Sequence, residues 1–528
     1  MPRTALATAI AASLLLSLPS SAVPPRLVVV LVYDQMRGDF LWRWEHLLSS
    51  GFARLLQQGR VYRHCFIEHA ATVTCAGHAT LVTGTAPEEH GIVGNDLLPR
   101  CCQPRTVKCT EDLQGRTSAQ WLLRPSLGHA LRQRFPGARI AALSHKRAAA
   151  LMMGNTAADY VLWADPQHGG LTAAPGAPSP AWLSEWNLRH HPRRWLGQCW
   201  QPTLPDSLAP ADAVPWELPF PGGTTAFPHC LNSDSTLWEA FLLSPFSVEW
   251  LFDAAVELLR TEGLGQDSVP DLLLLSVSTT DFVGHQFGPD SREVVELYLA
   301  CDRILGNFLA YLDRTVGAGN YLVVLTSDHG VAPVPEMLAR SGPGAYPGLD
   351  AGRIDPAELR QFLESALQRA FGRSASREWF LLRTPFVVLD RQRIAAAGAS
   401  WQAVRDSLAR WLAQYPGIGI VQSPEALRAS ENPSPLERLL RRSLHPEHAA
   451  ADLLFLPKPY WIVGTDAAAT HGTPYDYDRH IPLLLFGWGI TPAVRDEPVS
   501  AEDIAPTLAA LLGLPLPTAQ GRVLPISP

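Results

Sequence analysis

The sequence predicts an α/β protein: a doubly wound, mostly parallel central sheet with helices on both faces and cap insertions. Two observations carry the prediction. Short unbroken apolar runs such as "RLVVVLVYD", "DLLLLSVSTTD" and "YLVVLTSDHG" read as strands buried on both faces, the mark of a parallel sheet. Between them lie segments of helical periodicity, and strand alternating with helix is the doubly wound rhythm. A third observation bears on position: each of these runs stops at an aspartate.

The chain opens on residues 1–22, which read as a secretory signal. Arg3 gives a positive start, "ALATAIAASLLLSLP" an apolar core, and "SSA" a small-residue end suited to cleavage. The run is short for a membrane anchor, and no second run of 18 apolar residues follows. The mature chain is therefore expected to be exported, periplasmic or secreted, with no membrane span after signal removal. A first strand runs from Leu27 to Tyr33, and others lead into Asp281 and Asp328. "IPLLLFGWG" is another such run, and Ser291 N-caps a helix expected to Thr315. Two regions break the rhythm and are expected as insertions capping the sheet. Residues 165–245 are rich in Pro, Trp, Gly and His, and residues 335–460 carry helical stretches around a short apolar run, "FVVLD". The tryptophans of the first argue against disorder.

A net charge of −7 gives no reason to expect a nucleic-acid surface. Export permits disulfides. Among eight cysteines, "RCCQPRTVKC" could join Cys101 or Cys102 to Cys109. A zinc site built from cysteines is poorly supported, because the spacing is not that of paired CxxC ligands.

The chemistry is carried by the strand ends. In open α/β sheets, ligands bind beyond the carboxyl ends of the strands. Asp34, Asp281 and Asp328 stand there, with His285 four residues after Asp281 and His329 directly after Asp328. "THGTPYDYDRH" adds His471 and His480. Imidazoles and carboxylates suit zinc, and three of each suffice for two ions, an arrangement that serves phosphoryl displacement.

On these residues the chain resembles the alkaline phosphatase superfamily, in particular its type I phosphodiesterase/nucleotide pyrophosphatase branch and the periplasmic alkaline phosphatases with a threonine nucleophile. The matching segments are "VVVLVYDQMRGDF", "TVTCAGHATLVTGTAPEEHGIVGND", "STTDFVGHQFGPDS", "LTSDHG" and "HGTPYDYDRHIPLLLFG", with "EDIAPTLAALLGLPLP" as the final helix. The resemblance implies one catalytic domain over 23–528 and two Zn2+ per chain. Asp281, His285 and His471 would hold one ion; Asp34, Asp328 and His329 would hold the other, together with the oxygen of the nucleophile, Thr74. His480 stays outside the ligand set. Cys75 is expected to be a small packed residue, and His78 and Thr72 structural. The sulfatase pattern of the superfamily fails at Cys75, which "AGHA" follows without the required proline and arginine.

The resemblance also implies what separates monoesters from diesters. Monoesterase-like members use an asparagine, matched by Asn95, and a lysine and arginine one residue apart in a motif like S-x-K-D-R. Here the segment is "IAALSHKRAAALMMG". Counting back from Gly154 puts Arg147 on the arginine and His145 on the lysine, with Lys146 between. Either Lys146 reaches the phosphate, or His145 takes the role, or the contact is lost. The expected function is a two-zinc phosphatase acting on small phosphate monoesters through a phosphothreonine. A phosphodiesterase or nucleotide pyrophosphatase on the same core is the alternative, and a catalytically dead metal-binding protein a third reading. The oligomeric state is not legible.

Overall fold

The computed structural model describes residues 23–526, apart from 103, 168, 341–345, 347, 373–374 and 376. The expected signal segment lies outside the described residues. In chain order the principal strands are β1 (Leu27–Tyr33), β2 (Arg60–Phe66), β3 (Ile140–Ser144), β4 (Tyr160–Asp165), β5 (Gly170–Ala173), β6 (Asp271–Val277), β7 (Tyr321–Thr326), β8 (Phe380–Arg383), β9 (Phe386–Leu389), β10 (Ile418–Gln422), β11 (Leu453–Pro457), β12 (His480–Gly487), β13 (Ala493–Arg495) and β14 (Val499–Ser500). Ten of them form the central sheet in the order β13-β2-β12-β7-β1-β6-β3-β4-β5, with β14 also paired to β2.

The middle of this sheet is parallel: β7, β1, β6, β3 and β4 run the same way. Every residue of β1, β6 and β7 is buried, which explains their unbroken apolar sequences. Side chains alternate across the sheet. Leu27, Val29, Leu31 and Tyr33 enter one core, and Val28, Val30 and Val32 enter the other. The segment "IPLLLFG" forms β12 as expected, but it runs antiparallel to β7 and β2. Burial on both faces dictates its composition, and composition does not carry strand direction.

The helices that matter are α1 (Thr74–Thr83), α2 (Arg147–Gly154), α3 (Pro245–Glu262), α4 (Thr279–Phe287), α5 (Arg292–Leu312), α6 (Pro356–Phe371), α7 (Trp401–Gln414) and α8 (Ile504–Leu512). The Ser291 hydroxyl accepts the Val294 N–H at 3.2 Å and caps α5, as the sequence implied. Helices α3 and α5 cover one face of the sheet, and α1 and α8 pack on the other.

The segment 165–245 continues the sheet with β5 and then wraps onto the α3/α5 face. Trp182, Trp186, Trp195 and Trp200 are buried in that core. The segment 335–460 holds a separate four-stranded sheet, β8-β9-β11-β10, with α6 and α7 around a core of its own.

The cysteines correct the expectation from their spacing. Cys109 is bonded to Cys75, not to Cys101 or Cys102, and Cys199 is bonded to Cys230. Cys101 is exposed in a surface turn, whereas Cys75 and Cys109 are both buried. Proximity along the chain is overruled by the burial of Cys109 against α1. Cys75 is thus a packed residue, as expected, and also a staple.

Candidate active site

Four adjacent parallel strands, β7, β1, β6 and β3, end along one edge of the sheet. Asp328 follows β7, Asp34 follows β1, Asp281 lies in the first turn of α4 after β6, and Lys146 follows β3. Neighbouring strands lie about 4.8 Å apart, so the topology alone lines up three carboxylates and an ammonium. His285 stands one helical turn after Asp281 on the same face of α4. His329 and His471 complete the group from loops.

The imidazole geometry is directional. Each Nδ1 donates to a backbone carbonyl: His285 to Ala469 at 2.7 Å, His329 to Gly330 at 3.0 Å and His471 to Thr72 at 2.8 Å. That fixes the tautomer and leaves each Nε2 lone pair pointing inward, as metal-ligating histidines require. His285 Nε2 and His471 Nε2 lie 3.3 and 3.4 Å from Asp281 Oδ1. His329 Nε2 is 3.4 Å from both Asp34 Oδ1 and Asp328 Oδ2, and it has no hydrogen-bond partner. Ligands on one tetrahedral zinc with bonds of about 2.0–2.1 Å sit about 3.3–3.4 Å from each other. Two groups bring their ligand atoms within 4.8 Å of one another: Asp281, His285 and His471, and Asp34, Asp281 and His329. The residues present therefore fit divalent cations with nitrogen and oxygen ligands.

Electrostatics points the same way. Burial and the adjacent Asp328 push the Asp34 carboxyl up to about 7. Burial, then His329, brings His471 down to about 4 and keeps it neutral. Crowded, buried carboxylates call for positive charge. Lys146 supplies part of it: its Nζ lies 2.6 Å from Asp281 Oδ2, 2.8 Å from Asp34 Oδ2 and 3.4 Å from Thr74 Oγ1. Burial opposes the charge on Lys146, but Asp281 and Asp34 outweigh it and hold the amine above its ordinary range.

Thr74 begins α1. Val73 at the N-cap has no side chain able to cap. Asn95 caps from a distance instead: its Oδ1 accepts the Cys75 N–H at 2.9 Å. That contact ties the Asn95 side chain to the first turn of α1, which Thr74 opens. The Cys75–Cys109 bond and the Cys109 N–H on Asn95 O at 3.0 Å tie the asparagine loop to the helix.

The three candidates of "SHKR" separate. Lys146 faces the acidic cluster. His145 turns into the core, where its Nδ1 accepts the Ser278 N–H at 3.1 Å, its Nε2 meets Ser247 O at 3.0 Å, and its ring stacks on Trp250. Burial brings it down to about 4. Arg147 pairs with Glu111 at 2.8 Å. His480 lies apart, bonded to Arg63 O at 2.7 Å.

Two further residues brace the site, His78, expected from sequence to be structural, and Gln35, which the sequence reading did not single out. His78 Nδ1 lies 2.9 Å from Thr74 O and 3.0 Å from Asp328 Oδ2, so it braces the nucleophile candidate against a ligand candidate. Gly77 permits this, since a Cβ there would stand 2.1 Å from Asp328 O. Gln35 has a left-handed backbone, φ 66°, and its Nε2 reaches Asp281 Oδ1 at 2.9 Å. A buried amide directly after Asp34 was the available signal.

Comparisons with known proteins bear on the family and the fold. The family model for "Type I phosphodiesterase / nucleotide pyrophosphatase" matches residues 28–343. The chain is 29% identical over 525 residues to alkaline phosphatase PhoV of Synechococcus elongatus, covering 96% of this chain and 93% of that one. It is 30% identical over 518 residues to a protein of Myroides odoratus named calcium-transporting ATPase, covering 93% and 92%. The crystal structure of wild-type alkaline phosphatase PafA superposes with a TM-score of 0.85 at 28% identity, over 96% of this chain and 99% of that one. Matched over more than half its length, including every segment of the strand-end cluster except the one that carries His471, the chain belongs to the type I phosphodiesterase/nucleotide pyrophosphatase family.

Proposed function

We propose that this protein is a phosphoric ester hydrolase that cleaves phosphate monoesters through a phosphothreonine on Thr74. The observation that carries the reading is the Thr74 hydroxyl at a helix N-terminus, 3.4 Å from the Lys146 ammonium and beside two convergent groups of metal-competent side chains. Relatives named alkaline phosphatases, similar over nearly the whole chain, support it. The Myroides name suggests transport, but no helix among the described residues is long and apolar enough to cross a membrane.

Asp281, His285 and His471 would hold one zinc ion and Asp34, Asp328 and His329 the other. Bound zinc would neutralise the phosphate and lower the pKa of the threonine hydroxyl. The chain's own groups do the rest. The N-terminus of α1 favours the phosphate dianion. Lys146 meets a non-bridging oxygen, and the Asn95 NH2 group donates to another. Thr74 Oγ attacks phosphorus as the P–O bond to the leaving alcohol breaks. Water then attacks the phosphothreonine and frees inorganic phosphate and Thr74. Two disulfides and the signal-like 1–22 segment support an exported, oxidising location. One observation favours a diesterase instead: Glu111 holds Arg147, which lowers the positive charge offered to a dianion.

The test is phosphoenzyme trapping. Zinc-loaded protein quenched in acid during monoester turnover should carry acid-stable phosphothreonine, and Thr74→Ala should carry none while keeping its zinc. A Thr74→Ala variant that turns over normally would sink the proposal.

A further inference from the structure

A cavity of about 290 Å³ is lined in part by Val73, the residue before Thr74. It begins at Val73, Asn95 and His471 and runs beneath the small sheet of the 335–460 segment. Its walls are apolar: Val93 and Leu98 come from the loop after α1, Phe386 and Leu454 from β9 and β11, and Leu440 and Ile462 from the flanking chain. Phe386 and Leu454 are cross-strand partners, so one face of the small sheet forms the roof. Side chains that are apolar in the wall are also buried: Leu440, Leu454 and Ile462 are each at most 3% exposed.

Several polar groups along the cavity are engaged elsewhere. Ser443 Oγ accepts the Ala70 N–H at 2.7 Å and donates to Leu439 O at 2.9 Å. Thr473 Oγ1 donates to Asp478 at 2.6 Å, and Asp96 pairs with Lys108 at 2.8 Å. Arg383 is exposed and stands at the solvent edge. A sugar or nucleobase entering this space would set polar groups against the Val93, Leu98, Phe386, Leu440, Leu454 and Ile462 walls, at a desolvation cost. An apolar group meets no such penalty and gains from leaving water. The volume sits near the lower end of the range for small-molecule sites, about 300 Å³.

We infer that this cavity binds the leaving group of the ester, and that the preferred substrates are phosphate monoesters of apolar alkyl or aryl alcohols. The inference rests on the monoesterase reading above. With the phosphoryl group held at Thr74 and Asn95, the space lined by His471 and Val73 is open to the ester oxygen's substituent. The 335–460 segment is then a specificity element, since it supplies the roof.

The test is a homologous series. Ethyl through hexyl phosphate have leaving alcohols of nearly equal basicity, so the chemistry stays constant while apolar contact grows. Each added methylene should raise kcat/KM about threefold to fourfold until the cavity fills. Ile462→Phe and Leu444→Phe, made separately at two residues that line the cavity, should flatten the rise from ethyl to hexyl phosphate. Binding of the matching n-alkylphosphonates to the zinc-loaded protein, measured by calorimetry, reads the same slope without turnover. A flat series in the wild type, in rate and in binding alike, overturns the inference while leaving the monoesterase reading intact. A rising phosphonate slope with no turnover of any monoester supports the cavity and overturns the monoesterase reading. A slope that survives both fillings overturns the assignment to this cavity.

Discussion

Replacing Lys146 with methionine isolates one charge at the centre of the site. The ammonium stands 3.4 Å from Thr74 Oγ1, close enough to contact a phosphoryl group bonded to that oxygen. Two unit charges about 4 Å apart interact by about 4 kcal/mol at an effective dielectric of 20. Competing water and neighbouring carboxylates reduce this, and a hydrogen bond to a charged group nets about 1.5–3 kcal/mol. At about 1.36 kcal/mol per tenfold, Lys146→Met should lower monoester kcat/KM about ten- to 150-fold. A diester carries one negative charge fewer on its non-bridging oxygens, so about half the energy is lost and its rate falls about four- to twelvefold. The monoester/diester ratio should therefore fall about threefold to tenfold. The assay compares p-nitrophenyl phosphate with its bis-aryl diester in zinc, with metal content measured on both proteins. An equal loss on the two substrates at full zinc occupancy would refute the reasoning, because Lys146 would then be bracing Asp34 and Asp281 rather than reading phosphate charge.

Two further outcomes follow from other parts of the fold. Replacing Cys75 and Cys109 together by serine opens a loop with a sequence separation of 34; it should lower stability by about 2–4 kcal/mol and slow monoester turnover, because the loop held there carries Asn95. Unfolding midpoints and kcat, with and without reductant on the wild type, check this. Burial and then Glu293 push the Glu217 carboxyl up to about 8 from an ordinary 4.5. The folded state then holds a proton the unfolded chain has released, so stability falls as pH climbs from 4.5 to about 8. Glu217→Gln should melt above the wild type at pH 8, with the gap closing near pH 5, and a constant gap would contradict the raised pKa.

What could be read from the sequence was what repeats along the chain or ends a strand. The runs before Asp34, Asp281 and Asp328 are buried on both faces, so their composition alone announced the sheet and the edge where the three aspartates gather. His285 was legible for the same reason, one helical turn from Asp281. The rest depends on contacts far apart in sequence. Cys75 and Cys109 looked unrelated because a buried loop, not local spacing, brings them together. His78 sits in "TCAGHAT" like any helical histidine, and only the approach of α1 to Asp328, allowed by Gly77, gives it a partner. Strand direction for β12 was likewise invisible, since burial selects the same residues in either direction.

"SHKR" shows where counting along a motif fails and backbone geometry decides. Ser144 ends a strand, and Lys146 is still extended, with φ −91° and ψ 131°. Successive side chains on extended backbone point to opposite sides, so His145 and Lys146 cannot both face the phosphate. The interior settles which does: His145 fills a site between Ser247, Ser278 and Trp250, which hold both ring nitrogens and one ring face. Arg147 then opens α2 and turns to Glu111. A lysine placed at 145 would put an ammonium in that interior with no carboxylate among those contacts. His145→Lys should therefore cost about 4 kcal/mol or more, as uncompensated buried charges do, and gain no monoester activity. Thermal melts and kcat/KM on an aryl phosphate decide the matter. If His145→Lys melts like the wild type and turns over monoesters faster, the loop can shift register, and the inward place of residue 145 is not what fixes Lys146 on the phosphate side.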